Sequence, residues 1–124
     1  MWCWILLSCF STWTSLQKFP CDTLVGSSGS FDTLSDVIVN QFYKASILKG
    51  KTTYDFKLSD YYWLHDYFLK SNLEKRLNTP GMIPMRADMI VISSIFINYL
   101  LKRQKMFAMK LSTYALKEGV LETL

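Results

Sequence analysis

The sequence has few of the side chains on which metal sites and disulfide frameworks depend. Its 124 residues include one histidine, His65, and three cysteines, Cys3, Cys9 and Cys21, which all lie near the amino terminus. Their spacing matches no zinc or redox motif, and an odd cysteine count argues against a disulfide scaffold. The sequence therefore predicts no metal held by this chain alone, and a reducing, cytoplasmic compartment.

A basic stripe of the kind that binds nucleic acid is also absent. The formal net charge is +4, and the tight cationic cluster is Lys102, Arg103 and Lys105. This cluster falls where a helix is predicted to end, and cations are favourable at a helix carboxyl terminus. No nucleic-acid partner is expected.

No apolar run is long enough to span a bilayer. The longest at the amino terminus, from Met1 to Phe10, has no preceding positive charge, since the first lysine is Lys18. A transmembrane span and a secretion signal are both disfavoured. Residues 1–20 are predicted as an apolar segment that packs on something, and residues 21–124 as one domain. Docking of this segment on a membrane or a partner stays open as the alternative.

A glycine and serine turn between Leu24 and Leu34 is the clearest candidate for a binding site. It is predicted to follow a short apolar strand and to open a helix near Ser30. The free amides of a helix start attract anions, phosphate above all. A plain connector is the alternative, because no lysine follows the second glycine as in a Walker loop. The candidate phosphate-binding residues are Gly26, Ser27, Ser28, Gly29 and Ser30.

The middle of the chain alternates between helical and irregular patterns. A helix is predicted from the turn to about Ala45, and residues 46–57 are predicted as a loop or a short exposed pairing. Ser59 or Asp60 is expected to cap the next helix, and a short helix follows over residues 72–77. The apolar residues of the first two helices are Leu34, Val37, Ile38 and Phe42, and Trp63, Leu64, Tyr67 and Phe68.

The carboxyl-terminal third is predicted to hold the longest helix and a strand. Pro84 is expected to open that helix, which should be buried nearly all round. Alternation over residues 107–111 predicts a half-buried strand, followed by a turn over 114–119 and a helical stub over 120–124. The order of elements indicates an α/β layer. The predicted buried stripe of the long helix comprises Met85, Met89, Ile92, Phe96, Tyr99 and Leu100.

Three segments in fixed order resemble the exopolyphosphatase and guanosine pentaphosphate phosphohydrolase family (Ppx/GppA phosphatases). They are the loop of residues 26–34, the segment 80–90 with its Arg-Ala-Asp helix start, and the segment 111–121 with its Glu-Gly pair. The resemblance implies part of an actin-like, ribonuclease-H-like ATPase fold, namely the second-domain half. The substrate would lie in a cleft between two similar α/β domains.

The resemblance also implies a function and its limits. Family members remove terminal phosphate from inorganic polyphosphate or convert guanosine pentaphosphate to the tetraphosphate, normally with Mg²⁺. By carry-over, residues 26–30 would contact phosphate, and Arg86 and Asp88 would pair or cap at the helix start, while Gly119 would permit a turn. The catalytic glutamate and the other phosphate loop would lie in a first domain outside this sequence. We therefore expect no catalytic residue here, no Mg²⁺ bound by this chain alone, and a fragment that is inactive and prone to self-association. The alternative is a small membrane- or partner-associated protein without catalysis.

Overall fold

A computed structural model describes residues 18, 21–27, 29–114 and 116–123. Its strands and helices form one α/β unit, with two additional 3₁₀ turns at Ala45–Leu48 and Pro84–Arg86. The elements in chain order are β1 (Thr23–Ser27), α1 (Ser30–Phe42), β2 (Thr53–Phe56), α2 (Leu58–Lys70), α3 (Leu73–Leu77), α4 (Met89–Arg103), β3 (Ala108–Ser112) and α5 (Leu116–Glu122).

The described sheet has three strands in the order β1-β3-β2. β3 pairs parallel with β1 and antiparallel with β2. Ser112, the last residue of β3, aligns with Ser27 on one side and with Thr53 on the other. The carboxyl ends of the two parallel strands therefore meet at one edge of the sheet, where ligands bind in open α/β folds. For residues 46–57, the pairing alternative is confirmed over Thr53–Phe56.

Helix α1 covers one face of this sheet, as its periodicity predicts. Leu34, Val37 and Ile38 are buried in the core with Met109 and Leu111 of β3. The helix ends at Phe42, a turn earlier than predicted, and the Phe42 side chain is exposed.

Helix α2 begins one residue after Lys57, and neither Ser59 nor Asp60 caps it. Both lie inside the first turn, where the Asp60 amide donates to the Lys57 carbonyl at 3.0 Å. The buried face comprises Tyr61, Leu64 and Phe68, while Trp63 is exposed. The short helix α3 is confirmed.

Helix α4 differs most from its prediction. Pro84 opens only the preceding 3₁₀ turn, and α4 itself begins at Met89. The predicted buried stripe is wrong, because Met85, Met89, Ile92 and Tyr99 are exposed. The buried residues lie on the opposite face: Ile90, Ser93, Ser94, Ile97 and Leu101. Because α4 has apolar residues on all sides, its periodicity does not predict which face is buried. The two serines are buried, and each makes a hydrogen bond there.

The last part of the chain corrects two further predictions. Phe107 is exposed and precedes β3, while Met109 and Leu111 alternate inward as predicted. Helix α5 already begins at Leu116, so Gly119 lies within a helix and not in a turn. The predicted apolar segment 1–20 lies outside the described residues, except for residue 18. Across the described part of the chain, no helix combines the length and apolarity that crossing a membrane requires.

Candidate functional site

The glycine and serine loop lies where the sequence predicts it, between the end of β1 at Ser27 and the start of α1 at Ser30. Ser27 is exposed at the edge of the sheet where β1 and β3 both end. Ser28 lies outside the described residues. The loop thus brings the amino terminus of a 13-residue helix to the edge of the sheet where β1 and β3 end.

The two glycines of the loop meet different structural requirements, one of backbone conformation and one of packing. Gly29 has φ +58° and ψ −113°, a conformation that other residues rarely adopt. Gly26 is buried in β1, and a Cβ there would overlap the ring of Phe31. Gly26 therefore makes room for a core side chain, and only Gly29 is placed to let the backbone approach a ligand.

The serine at the start of α1 directs its hydroxyl into the protein. Ser30 is buried and donates a 2.9 Å hydrogen bond to the Ser93 hydroxyl on α4, which in turn donates to the Met89 carbonyl at 3.1 Å. Any contact between Ser30 and a phosphate would therefore use its backbone amide.

The structure adds Arg86 to the predicted residues. Its Nη1 atom lies 3.1 Å from the position that a Cβ on Gly29 would occupy. Arg86 and Ser30 line one cavity of about 250 Å³ together with Met85, Met89, Ile90 and Ser93. Asp88 occupies the N-cap position of α4 but makes no side-chain cap hydrogen bond. Arg86 and Ser30 are 56 positions apart in the sequence, so no local pattern predicts this pairing.

A second cavity of about 210 Å³ lies on another side of the α1 start. Asp32, Asp36 and Lys51 line it with residues of β2 and β3. Burial, and then the charge of Asp32, raises the pKa of the Asp36 carboxyl. Lys51 shares this cavity with the two carboxylates, and no three His, Cys, Asp or Glu side chains converge within the described ranges.

A histidine and serine pair between α2 and α4 was not predicted. His65 Nδ1 and Ser94 Oγ share a hydrogen bond of 2.7 Å, and the Tyr61 hydroxyl donates to the Ser94 carbonyl at 2.8 Å. Burial, and then the charge of Lys102, lowers the pKa of His65. Ser94 is buried, so a substrate cannot reach it, and the pair joins two helices.

Comparison with known structures relates this geometry to one group of enzymes. An exopolyphosphatase from Cytophaga hutchinsonii is 35% identical with a TM-score of 0.81 over 89% of this chain. A Ppx/GppA enzyme from Aquifex aeolicus is 26% identical with a TM-score of 0.68 over 90% of it. The type II variant of the Aquifex aeolicus Ppx/GppA phosphatase, 24% identical with a TM-score of 0.69 over 84% of this chain, shares the fold.

The matched region is a limited part of those proteins. This chain covers 35% of the Cytophaga hutchinsonii structure, and 38% and 34% of the two from Aquifex aeolicus. No protein-family model matches the sequence, and no curated protein matches it significantly. The likeness to the Cytophaga hutchinsonii structure nevertheless covers 89% of this chain. The chain resembles Ppx/GppA phosphatases over most of its length, and it spans about one third of the length of these solved structures.

Proposed function

We propose that this chain supplies a phosphate-binding wall of a phosphatase that hydrolyses terminal phosphoanhydride bonds of inorganic polyphosphate or guanosine pentaphosphate. The observation that carries the proposal is the meeting of two anion-binding features at one cavity. These are the start of α1 at Gly29 and Ser30, and the guanidinium of Arg86. The resemblance to an exopolyphosphatase supports the choice of substrate class.

The chemistry of the wall suits a phosphoryl group. Backbone N–H groups at a helix start are fixed donors that a phosphate meets without reorganisation. A guanidinium adds two parallel charge-assisted hydrogen bonds and neutralises charge on the phosphoryl oxygens. Ser93 holds the Ser30 hydroxyl, which fixes the helix start against α4. Together these groups can bind and orient a terminal phosphate.

Cleavage requires further groups that we assign to the rest of the fold. The attacking water must be oriented or deprotonated, and a carboxylate is the usual base. Asp32 and Asp36 line the second cavity and not the one that contains Arg86. About two thirds of the Cytophaga hutchinsonii structure lies outside the match. We propose that the catalytic carboxylate, and the ligands that bring Mg²⁺ with the substrate, belong to that part.

Binding of a simple phosphoanhydride tests the proposed wall. Pyrophosphate is titrated into the full chain and into two variants that lose the same charge, Arg86→Ala and Lys70→Ala. Lys70 is exposed and pairs with Asp66 at 2.8 Å, away from the cavity lining. We expect Arg86→Ala to weaken binding about tenfold or more, since hydrogen bonds to charged groups are strong. Lys70→Ala should leave it within about twofold.

Equal weakening by both variants would show that pyrophosphate responds only to net charge and would contradict the site. No detectable binding by a folded parent chain would also contradict it. Folding of each variant is checked by far-ultraviolet circular dichroism and thermal unfolding.

A further inference from the structure

Arg86 lies in the segment that joins α3 to α4, and we call residues 78–88 the α3–α4 connector. Within it, Arg86 ends the 3₁₀ turn at Pro84–Arg86. A guanidinium binds a phosphate most tightly when it is already held in place, since ordering a long side chain on binding costs affinity. The contacts that fix the α3–α4 connector therefore affect the proposed phosphate site.

Arg76 on α3 joins this connector to the end of α2. Its side chain is half-buried, and its Nε donates to the Ala87 carbonyl at 2.8 Å while its Nη1 donates to the Ser71 carbonyl at 2.6 Å. Ser71 is the C-cap residue of α2, and Ala87 directly follows Arg86 and is fully buried. One guanidinium thus links the end of α2 to the turn that contains Arg86.

The α3–α4 connector is also fixed against α1. Gly81 has φ +88°, and a Cβ there would lie 2.7 Å from the Asp36 carbonyl oxygen. Because a Cβ would overlap that oxygen, the connector backbone lies directly against α1 at this point. Met82, the next residue, is buried in the core. The connector is therefore held on both sides of Arg86 along the chain.

We propose that Arg76 is a positioning residue for the phosphate site: it holds the turn that presents Arg86 to the start of α1 and does not contact the anion. Arg76 is not among the residues that line the cavity shared by Arg86 and Ser30. A guanidinium suits this role because its planar fork donates in fixed directions, which a lysine ammonium does not reproduce. The proposal rests on the phosphate-binding function proposed above.

Pyrophosphate binding to variants that keep the net charge provides the first test. We expect Arg76→Lys to weaken binding about fivefold, because the charge is kept while the fixed position of Arg86 is lost. The matched control is Arg103→Lys, exposed in the last turn of α4, which should change binding by less than about twofold.

The same substitution in an Arg86→Ala background separates positioning from a general effect on the fold. Arg76→Lys should weaken binding there by less than about twofold further, because a positioning residue acts only through the residue that it positions. Thermal unfolding confirms that each variant is folded at the temperature of the titration.

Nitrogen-15 NMR of the arginine Nε–H groups provides the second test and needs no ligand. The chain has three arginines, Arg76, Arg86 and Arg103, so variants assign their signals. In the parent chain, Arg76 Nε–H should exchange with water about tenfold or more slowly than Arg103 Nε–H, because it donates to the carbonyl of a buried residue. Arg76→Lys should lower the order parameter of Arg86 Nε–H, whereas Arg103→Lys should not.

Equal weakening of binding by Arg76→Lys and Arg103→Lys would overturn the proposal, and so would an undiminished loss in the Arg86→Ala background. Equal exchange at Arg76 and Arg103 Nε–H, measured on the parent chain alone, would also overturn it. A folded parent chain that does not bind pyrophosphate would contradict the phosphate site itself, whereas the NMR result separately supports or overturns the hold of Arg76 on Arg86.

Discussion

Gly29 occupies the most demanding backbone position of the candidate site. Its φ of +58° and ψ of −113° belong to a region that is costly for residues with a Cβ. Arg86 Nη1 would also lie 3.1 Å from that Cβ. Gly50 offers a comparison, because it too has a positive φ, of +75°, but no atom within 4 Å of the Cβ position.

We expect Gly29→Ala to lower the free energy of unfolding by about 2 kcal/mol and Gly50→Ala by about 1 kcal/mol. Urea unfolding measures both. Only Gly29→Ala should weaken pyrophosphate binding, because only that substitution displaces Arg86 from the helix start. Equal binding by the two variants would show that the loop does not contact the anion.

His65 shows why a residue's surroundings decide its role. As the lone histidine of the chain it was predicted to be a helix residue and not a catalytic base. The structure places it against buried Ser94, with a lowered pKa caused by burial and Lys102. The neutral imidazole that results suits a hydrogen-bonded helix contact.

At the scale of elements, the packing of α2 on α4 depends on polar contacts as well as on apolar ones. Tyr61 is fully buried, and its hydroxyl donates to the Ser94 carbonyl at 2.8 Å. Burial raises the pKa of Tyr61, so the hydroxyl stays protonated and remains a donor. The Ser94 side chain binds His65 in the same contact.

We expect Tyr61→Phe to lower the free energy of unfolding by about 1 to 2 kcal/mol, because a buried carbonyl loses its hydrogen-bond partner. The neighbouring Tyr62→Phe removes the same atom from an exposed ring and should change it by less than about 0.5 kcal/mol. Thermal or urea unfolding distinguishes them. Equal losses would mean that the Tyr61 hydroxyl contributes nothing specific to this packing.

The sheet has one exposed face, on the side away from α1. β1 and β3 form a parallel pair, yet Val25 of β1 is 61% exposed on the face away from α1. Parallel strands normally lie between covered faces. Among the described residues this face carries Lys110 and Asp55, which pair at 3.2 Å. The described unit therefore has the character of part of a larger α/β layer.

At the scale of the whole molecule, we expect this chain to bind phosphate without cleaving a phosphoanhydride bond. The candidate phosphate wall is made by β1, α1 and the turn before α4, whereas the solved relatives are about three times as long as the matched region. We expect the full chain, incubated with polyphosphate and Mg²⁺, to release no phosphate above a buffer control. A coupled assay for inorganic phosphate measures this, with a full-length exopolyphosphatase as the positive control.

Phosphate release at the rate of that full-length enzyme would contradict the assignment of the catalytic groups to the rest of the fold. If this chain released phosphate and Arg86→Ala abolished the release, the phosphate-binding site would be supported. The catalytic base would then have to lie in this chain. The pyrophosphate titration is independent of this result, so binding and inactivity can fail separately.

Local patterns in the sequence predicted part of the buried faces of α1 and β3. Leu34, Val37 and Ile38 predicted the buried face of α1, and Met109 and Leu111 that of β3. The loop at residues 26–30 was found because glycine and serine mark a strand-to-helix turn regardless of what surrounds it. The order of that loop, the Arg86 segment and the Glu118 segment predicted the resemblance to exopolyphosphatases that structural comparison shows.

The tertiary structure decided what local pattern could not. α4 is apolar on all sides, and its buried face includes Ser93 and Ser94, whose hydroxyls find partners on α1 and α2. Arg86 reaches Gly29 only because α4 packs beside the start of α1. The sequence by itself determined the α/β order, the loop and the resemblance to one family, because these depend on neighbours along the chain. Which side of α4 is exposed, and which cation lies at the loop, depend on contacts between residues far apart in sequence, and only the folded chain supplies those.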